Sequence, residues 1–502
     1  MPLKKQSNET PMPPNSYPTT VLIFGASGDL TKRKLIPALY NNYYKHRLPA
    51  GTKIVGFARS PYTDESFREK MREGIQSFSP NTYDAGIWES FATQLYYFQG
   101  DLSNSEVFDR LQAYLSELES GPANRLYYLA TAPFLYPPAV THLGAAGMAE
   151  QTDSRCNLVV EKPFGRDLAS AQELNNIIHK VFNENQVYRI DHYLGKETSQ
   201  NILYFRFANT IFEPVWNRRY ISNIQISVLE SVDVGQRASY FDEYGVIRDM
   251  FQNHLLQLLS LVTMEPPVSF DADAIRNDKV KLFSSIRPIA LEDVVPAQYE
   301  GYRNVEGVDP ASKTPTFAAL RLYIDNWRWQ GVPFYLRSGK ALAEKSSEIV
   351  IEFNQPPHIL FGYAHERHLG PNVLTMCLQP DEGIHLTFQA KIPDRDMETR
   401  DVDMEFHYRS TFAGEQLPDA YETLLLDALH CDAALFTRSD GIEAAWQLID
   451  PILEGWQTSN TPSLTTYIPG SWGPSEADEL LAQQGHSWRM ECGEHKILLP
   501  YD

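Results

Sequence analysis

The segment Tyr188–Glu197 reads YRIDHYLGKE and follows directly on an apolar run. Within ten residues it holds a carboxylate (Asp191), an imidazole (His192), a phenol (Tyr193) and an ammonium (Lys196), with Gly195 among them. Such a mixture suits a small anion: His192 and Lys196 can face a phosphate while Asp191 aligns a base carried elsewhere. A solvated strand end with an ordinary Asp–Lys pair is the competing reading. A base is available downstream, in Arg248–Leu256, which reads RDMFQNHLL. His254 is followed at once by apolar residues, which sets it near the buried side of an amphipathic helix. A neutral imidazole is a suitable general base near pH 7 if a carboxylate orients its other nitrogen, and Asp191 is the candidate. A hydrogen-bonded core histidine is the plainer alternative. Asp249 stands five positions before His254, about 140° around an ideal α-helix. That is a poor place from which to orient the ring, though it can bond substrate hydroxyls.

A second constellation follows the first apolar run. VLIF leads into Gly25-Ala26-Ser27-Gly28-Asp29-Leu30-Thr31-Lys32 and then a helix-like stretch. This is where a dinucleotide pyrophosphate rests on backbone N–H groups at a helix N-terminus. The spacing is G-x-x-G-x-x-T, so the pattern alone is a weak signal. The second run ends Gly56-Phe57-Ala58-Arg59-Ser60, with a guanidinium where NAD sites place an Asp or Glu. Arg59 can take a 2′-phosphate bidentately, so NADP is expected over NAD, against the reading of a surface arginine.

Val160-Glu161-Lys162-Pro163-Phe164-Gly165 ends another run. Ligands of parallel sheets bind beyond the carboxyl ends of the strands, so Lys162 is expected where cofactor and substrate meet, with Pro163 a candidate cis residue. Glu230 shares by period 2 the apolar face of Ile224, Ile226 and Val228, where a carboxylate needs either a salt bridge or substrate hydroxyls. Lys340, in YLRSGKAL, and Lys345 complete a cationic rim or are simply solvated.

The elements that must position these residues change character near residue 200. Before it, the short runs Val21–Phe24, Ile54–Ala58, Leu95–Phe98, Leu126–Leu129, Leu158–Val160 and Val187–Ile190 alternate with the helix-like stretches Lys32–His46, Glu65–Phe78, Glu106–Ser120 and Ala169–Phe182. That alternation predicts an α/β, Rossmann-type doubly wound parallel sheet. After it, Ile224–Val228, Ala318–Ile324 and Ile384–Ala390 alternate apolar with polar, as strands with one wet face do. The helical runs Arg248–Val262 and Asp419–Phe436 are expected to cover the other face. The expectation is a flexible arm over 1–18, a nucleotide-binding domain over 19–200, and an α+β domain with a large, mainly antiparallel sheet over 201–502.

With 502 residues and a formal charge of −20, the chain is long enough for two cores, and its acidity argues against nucleic acid or an anionic membrane as partner. No run approaches the roughly 18 apolar residues of a membrane span, and Met1–Pro18 is polar with five prolines and no apolar stretch of a secretion signal. Cys156, Cys377, Cys431 and Cys492 are scattered, with no metal-type spacing, which reads as a reducing, cytoplasmic compartment and no metal site.

Taken in order, GASGDLTKRKLIPAL, FARS, EKPFG, RIDHYLGKE, FDEYGVIRDMFQNHLLQ, LRSGKAL and GPSEADEL closely resemble the glucose-6-phosphate dehydrogenase family from Gly25 to Leu480. The resemblance implies oxidation of glucose 6-phosphate to its 6-phospho-lactone with NADP, in homodimers or homotetramers formed through the large sheet. It implies His254 as general base and Asp191 as its partner. His192, Tyr193, Lys196 and Lys345 would lie on the phosphate side, and Glu230, Asp249, Lys340 and Lys162 on the sugar side. Gly25 to Lys32, Arg59, Tyr136 and Lys162 would meet the cofactor. One departure stands out. Mammalian members carry a second, structural NADP site rich in Arg and Lys, whereas here Ser346, Val350 and Trp472 occupy positions where basic residues are expected; this argues against that second site. Some relatives in photosynthetic organisms are switched by thiol–disulfide exchange, which makes Cys431 a candidate redox site and leaves a protein activator or redox partner open. A dehydrogenase of another sugar or sugar phosphate is the runner-up, distinguished by the cations His192, Lys196 and Lys345. An NADP-binding sensor without catalysis would have no use for Asp191 and His254.

Overall fold

The computed structural model describes residues 17–151, 154–358, 369–395, 398–412, 417–459, 462–490 and 492. The expected N-terminal arm falls almost wholly outside them. Two compact units emerge. The first comprises residues up to Phe164, Gln172–Gly195 and Asp419–Ser439; the second comprises Gly165–Ala171, Lys196–Pro418 and Asp440 onward.

In the first unit, β1 (Thr19–Phe24), β2 (Lys53–Ala58), β3 (Leu95–Gln99), β4 (Asn124–Leu129), β5 (Cys156–Val160) and β6 (Val187–Arg189) form one sheet in the order β3-β2-β1-β4-β5-β6. Every pairing is parallel. The near-continuous apolar runs are what such a sheet needs, because helices bury both of its faces. Helix α1 (Ile36–Tyr44) follows β1 after a π-wound turn, Thr31–Leu35, and α2 (Asp64–Phe78) follows β2. Thr63 caps α2 through a reciprocal hydrogen-bonded pair with Ser66, which starts the helix sharply after the strand. Two helices escaped the sequence reading, Ala85–Ala92 and Tyr136–Ala145. The latter opens on prolines, which favour a first turn rather than a helix interior.

The second unit is built on β7 (Ile221–Leu229), β8 (Val294–Tyr299), β9 (Phe317–Tyr323), β10 (Pro333–Gly339), β11 (Ser346–Phe353), β12 (Val373–Gln379), β13 (Gly383–Lys391), β14 (Thr399–His407) and β15 (Thr465–Tyr467), ordered β14-β13-β12-β11-β7-β10-β9-β8-β15. Only β7–β10 and β8–β15 pair in parallel; the sheet is mainly antiparallel.

Three expectations need correction. By contacts, Asp419–Ser439 groups with the first unit. The helix Ala420–His430 therefore packs within the first unit, not as part of the second; Asn41 and Asn42 of α1 bond Glu422 at 2.7 and 2.8 Å. Nor is the polar face of the large sheet wet at its centre. Gln225 and Ser227 are as buried as Ile224 and Ile226, because residues 486–490 lie over them. Gln225 bonds the Ser487 carbonyl and the Arg489 N–H at 3.0 and 2.9 Å, and Trp488 stacks on Arg337 at 4.1 Å. Finally, Cys377 and Cys492 form a disulfide. Their separation of 115 residues hid the pairing from a reading based on spacing, and the expectation of a thiol-reducing compartment did not foresee it. Cys156 and Cys431 are free thiols.

Candidate active site

The first unit builds a dinucleotide cradle at the carboxyl ends of β1 and β2. Gly25 sits at φ +85°, and an added Cβ would lie 2.2 Å from the Ala130 carbonyl oxygen, so only glycine lets the turn pass this close to the end of β4. The Gly25 and Ala26 N–H groups both donate to the Phe57 carbonyl, at 2.8 and 3.1 Å, and Gly28 N–H donates to Gly25 at 2.9 Å. The chain is thereby turned so that a helix N-terminus opens at Asp29–Leu30, with first-turn N–H groups that have no acceptor inside the helix. These features fit a pyrophosphate. The Asp29 and Lys32 side chains are engaged locally, with Arg33 at 3.2 Å and Glu73 at 2.9 Å, and Thr31 is buried with its hydroxyl toward Gly25. Arg59 is exposed just past β2. Tyr136 is buried at the start of its helix.

At the carboxyl end of β5, Lys162 precedes a cis Pro163. Its neighbour Glu161 is a buried carboxyl held by the Tyr128 hydroxyl at 2.6 Å and by Tyr421. Burial pushes this carboxyl above the usual carboxylate range, against those two hydrogen bonds and the Lys162 charge. Sequence reading quoted Glu161 without giving it a role, since its partner Tyr421 comes from a helix far along the chain. Asp191, just past β6, is 1% exposed; it accepts from the Tyr193 N–H at 3.0 Å. His192 is half-buried, its ring 5.1 Å from that of Tyr193.

The other candidate residues lie in the second unit. Lys196 donates to Gln379 at 2.9 Å, a partner the sequence offered no signal for. Glu230, at the end of β7, pairs with buried Lys340. The Lys340 ammonium also lies 5.1 Å from the centre of the Phe241 ring. Its backbone is tied to Thr316 at 3.0 Å and, through its carbonyl, to the Tyr467 hydroxyl at 2.6 Å. Of the two readings of Glu230, the salt bridge is thus realised. Lys345 is exposed.

Ile247–Leu255 is wound as a π-helix and continues as an α-helix over Leu256–Thr263. From Met250 to Thr263 every residue is buried, so the helix runs centrally through the second unit, with half-buried Arg248 and Asp249 at its start. The i→i+5 winding takes more residues per turn than an α-helix, so Asp249 lies nearer the His254 side of the helix than α geometry would put it. His254 is 1% exposed, Asp249 half-buried.

A doubly wound parallel sheet with a glycine turn after its first strand defines a dinucleotide-binding oxidoreductase class. The family model described as glucose-6-phosphate dehydrogenase, NAD binding domain, matches residues 22–201, and that of the C-terminal domain matches 203–489. Glucose-6-phosphate 1-dehydrogenase of Chlamydia muridarum is 44% identical over 95% of this chain and 98% of its own length. The same-named protein of Bacillus subtilis is 40% identical over 95% of this chain and 99% of its own. A solved glucose-6-phosphate dehydrogenase in complex with its substrate superposes with a TM-score of 0.88 at 36% identity, covering 94% of this chain and 98% of that one. The chain belongs to the glucose-6-phosphate dehydrogenase family. Among the described residues no helix is long and apolar enough to cross a membrane.

Proposed function

We propose that this chain oxidises β-D-glucose 6-phosphate to 6-phospho-D-glucono-1,5-lactone, with NADP as the hydride acceptor. Membership in the family over nearly the whole chain carries the reading. His254 takes the proton of the C1 hydroxyl, and the C1–H bond delivers its electron pair and hydrogen as hydride to the nicotinamide, leaving the lactone carbonyl. Asp191 orients the imidazole and stabilises it once protonated. Each of the two residues is buried in its own unit, where its charge is little screened by water. Asp249, five positions before His254 in the π-wound segment, shares the sugar-side task with Glu230, Lys340 and Lys162. His192, Tyr193, Lys196 and Lys345 hold the phosphate.

The choice of NADP rests on Arg59 at the end of β2, where no carboxylate follows the strand. Ser346 and Val350 are buried in β11, which supports a single dinucleotide site. Self-association through the large sheet, as a homodimer or homotetramer, is favoured by Met404, 61% exposed on β14, and by the half-exposed apolar row Ile384, Leu386 and Phe388 on β13. A cytoplasmic location belongs to the same reading.

The test is absorbance at 340 nm with glucose 6-phosphate and either NADP or NAD. Turnover with glucose 6-phosphate and a lower Michaelis constant for NADP are expected. Turnover only with a different sugar, or none with any, would overturn the reading.

A further inference from the structure

Lys70 lies on α2, outside every motif that marks the family resemblance, yet its side chain reaches the dinucleotide turn. Its Nζ donates to the Ser27 carbonyl at 3.2 Å and to the Tyr62 hydroxyl at 2.7 Å. The ammonium also stands 5.0 Å from the centre of the Tyr62 ring. These partners are all neutral. Glu73 is the acid of α2 that Lys70 influences, and it is already bonded to Lys32 at 2.9 Å. Lys70 therefore holds an ammonium in place on uncharged oxygens, and its charge is not spent on a direct ion pair.

Its position is set from two sides. The turn carrying Ser27 is bonded to Phe57 of β2, and two residues later the same strand delivers Arg59. The segment from Arg59 to Tyr62 is anchored in turn by Tyr97, whose hydroxyl donates to the Ser60 carbonyl at 2.6 Å and whose ring packs edge-on against Tyr62 at 5.4 Å. Gln99 adds a bond to the Arg59 carbonyl at 3.0 Å. Ser27, Arg59 and Lys70 thus surround the ends of β1 and β2, where the adenosine ribose of a bound dinucleotide lies. A phosphate monoester carries about −1.5 to −2 charges at pH 7. In a chain of net charge −20, one arginine neutralises only part of that.

We propose that Lys70 is a specificity-determining residue, the second cation for the coenzyme 2′-phosphate across from Arg59. The proposal rests on the NADP reading above and extends it to a residue on a different element. Ser27 and Tyr62 keep the ammonium aimed, which lowers the cost of ordering a long side chain when the phosphate arrives.

The experiment is calorimetric titration of the full chain with 2′,5′-ADP and with 5′-AMP, for wild type, Lys70→Gln, Lys70→Arg and Arg59→Ala. Lys70→Gln should weaken 2′,5′-ADP about tenfold, the scale of one charge-assisted hydrogen bond, with 5′-AMP affinity unchanged and with most of the loss restored in Lys70→Arg. The NADP-to-NAD ratio of Michaelis constants should rise by the same factor. Equal weakening of both nucleotides would mean that Lys70 merely supports the Ser27 turn, and no weakening of either would overturn the proposal outright. If Arg59→Ala loses the preference for 2′,5′-ADP while Lys70→Gln keeps it, Lys70 alone is wrong. If wild type binds the two nucleotides equally, the NADP reading falls and takes Lys70 with it.

Discussion

The six-stranded sheet is buried largely by helices drawn from the same strand–helix alternation that makes its strands, with Asp419–Ser439 returning to them from far along the chain, whereas the centre of the nine-stranded sheet has its polar face covered by residues 486–490, which follow all its strands in the chain. The first arrangement is local. Each strand end delivers its functional group beside a helix that the next stretch of sequence supplies, and the group is often backbone, as at Gly25–Gly28. The second is long-range. Functional side chains such as Lys340 are held by partners from distant strands, and the sheet beneath them depends on Gln225, Arg337 and Glu352 finding Ser487, Trp488 and Arg489. Local construction is legible from residue order; long-range construction has to be seen.

The comparison can be broken first at the chemistry. His254→Ala should lower kcat by about 10²- to 10⁴-fold with the sugar-phosphate Michaelis constant little changed, while His192→Ala should mainly raise that constant. Steady-state kinetics decides, and the reverse pattern would move the base out of the central helix of the second unit. Gly25→Ala comes next. Forcing a Cβ into positive φ costs about 1–3 kcal/mol, and the overlap with Ala130 adds to it. Urea denaturation together with nucleotide titration should register loss in the first unit; a variant of wild-type stability and nucleotide affinity would mean the turn is far looser than described.

Reduction of Cys377–Cys492, or Cys492→Ser, probes the second arrangement. A disulfide closing a loop this long contributes about 2–4 kcal/mol, so the denaturation midpoint should drop while the Michaelis constant for the dinucleotide holds. An unmoved midpoint would leave the ion pairs and stacking of residues 486–490 as sufficient to hold the sheet face.

The smallest effect is expected at His486, whose ring bonds Ser222 at 3.2 Å and Tyr335 at 2.9 Å. Burial holds its pKa below the ordinary histidine value of about 6.5, against the pull of Glu352. The folded state then binds this proton less readily than the unfolded chain. Its stabilising contribution is complete above about pH 6.5 and declines as pH falls below that value. Stability measured against pH should lose part of this acid-side slope in His486→Gln, and identical slopes would remove His486 from the account.

All six parallel strands were readable because a strand buried on both faces must be apolar throughout, and the glycine turn because a dinucleotide demands it just after the first of them. The π winding of Ile247–Leu255 was not readable. An i→i+5 helix and an i→i+4 helix want the same apolar residues, yet they place Asp249 differently relative to His254. Lys70 was invisible for another reason: nothing in the order of residues says that a lysine on α2 reaches back to the Ser27 carbonyl. Tyr421 beside Glu161, Gln379 beside Lys196 and the Cys377–Cys492 bond belong with it.

Residue order alone determined the architecture of the first unit and the mainly antiparallel character of the second, and it nominated the side chains proposed for acid–base and phosphate chemistry, because periodicity and local turn chemistry act over a few residues. Tertiary structure decided which charges are paired, which face of the large sheet is dry, and that Asp419–Ser439 returns to the first unit. Those outcomes depend on which distant surfaces bury each other, a property of the folded whole that short-range patterns do not encode.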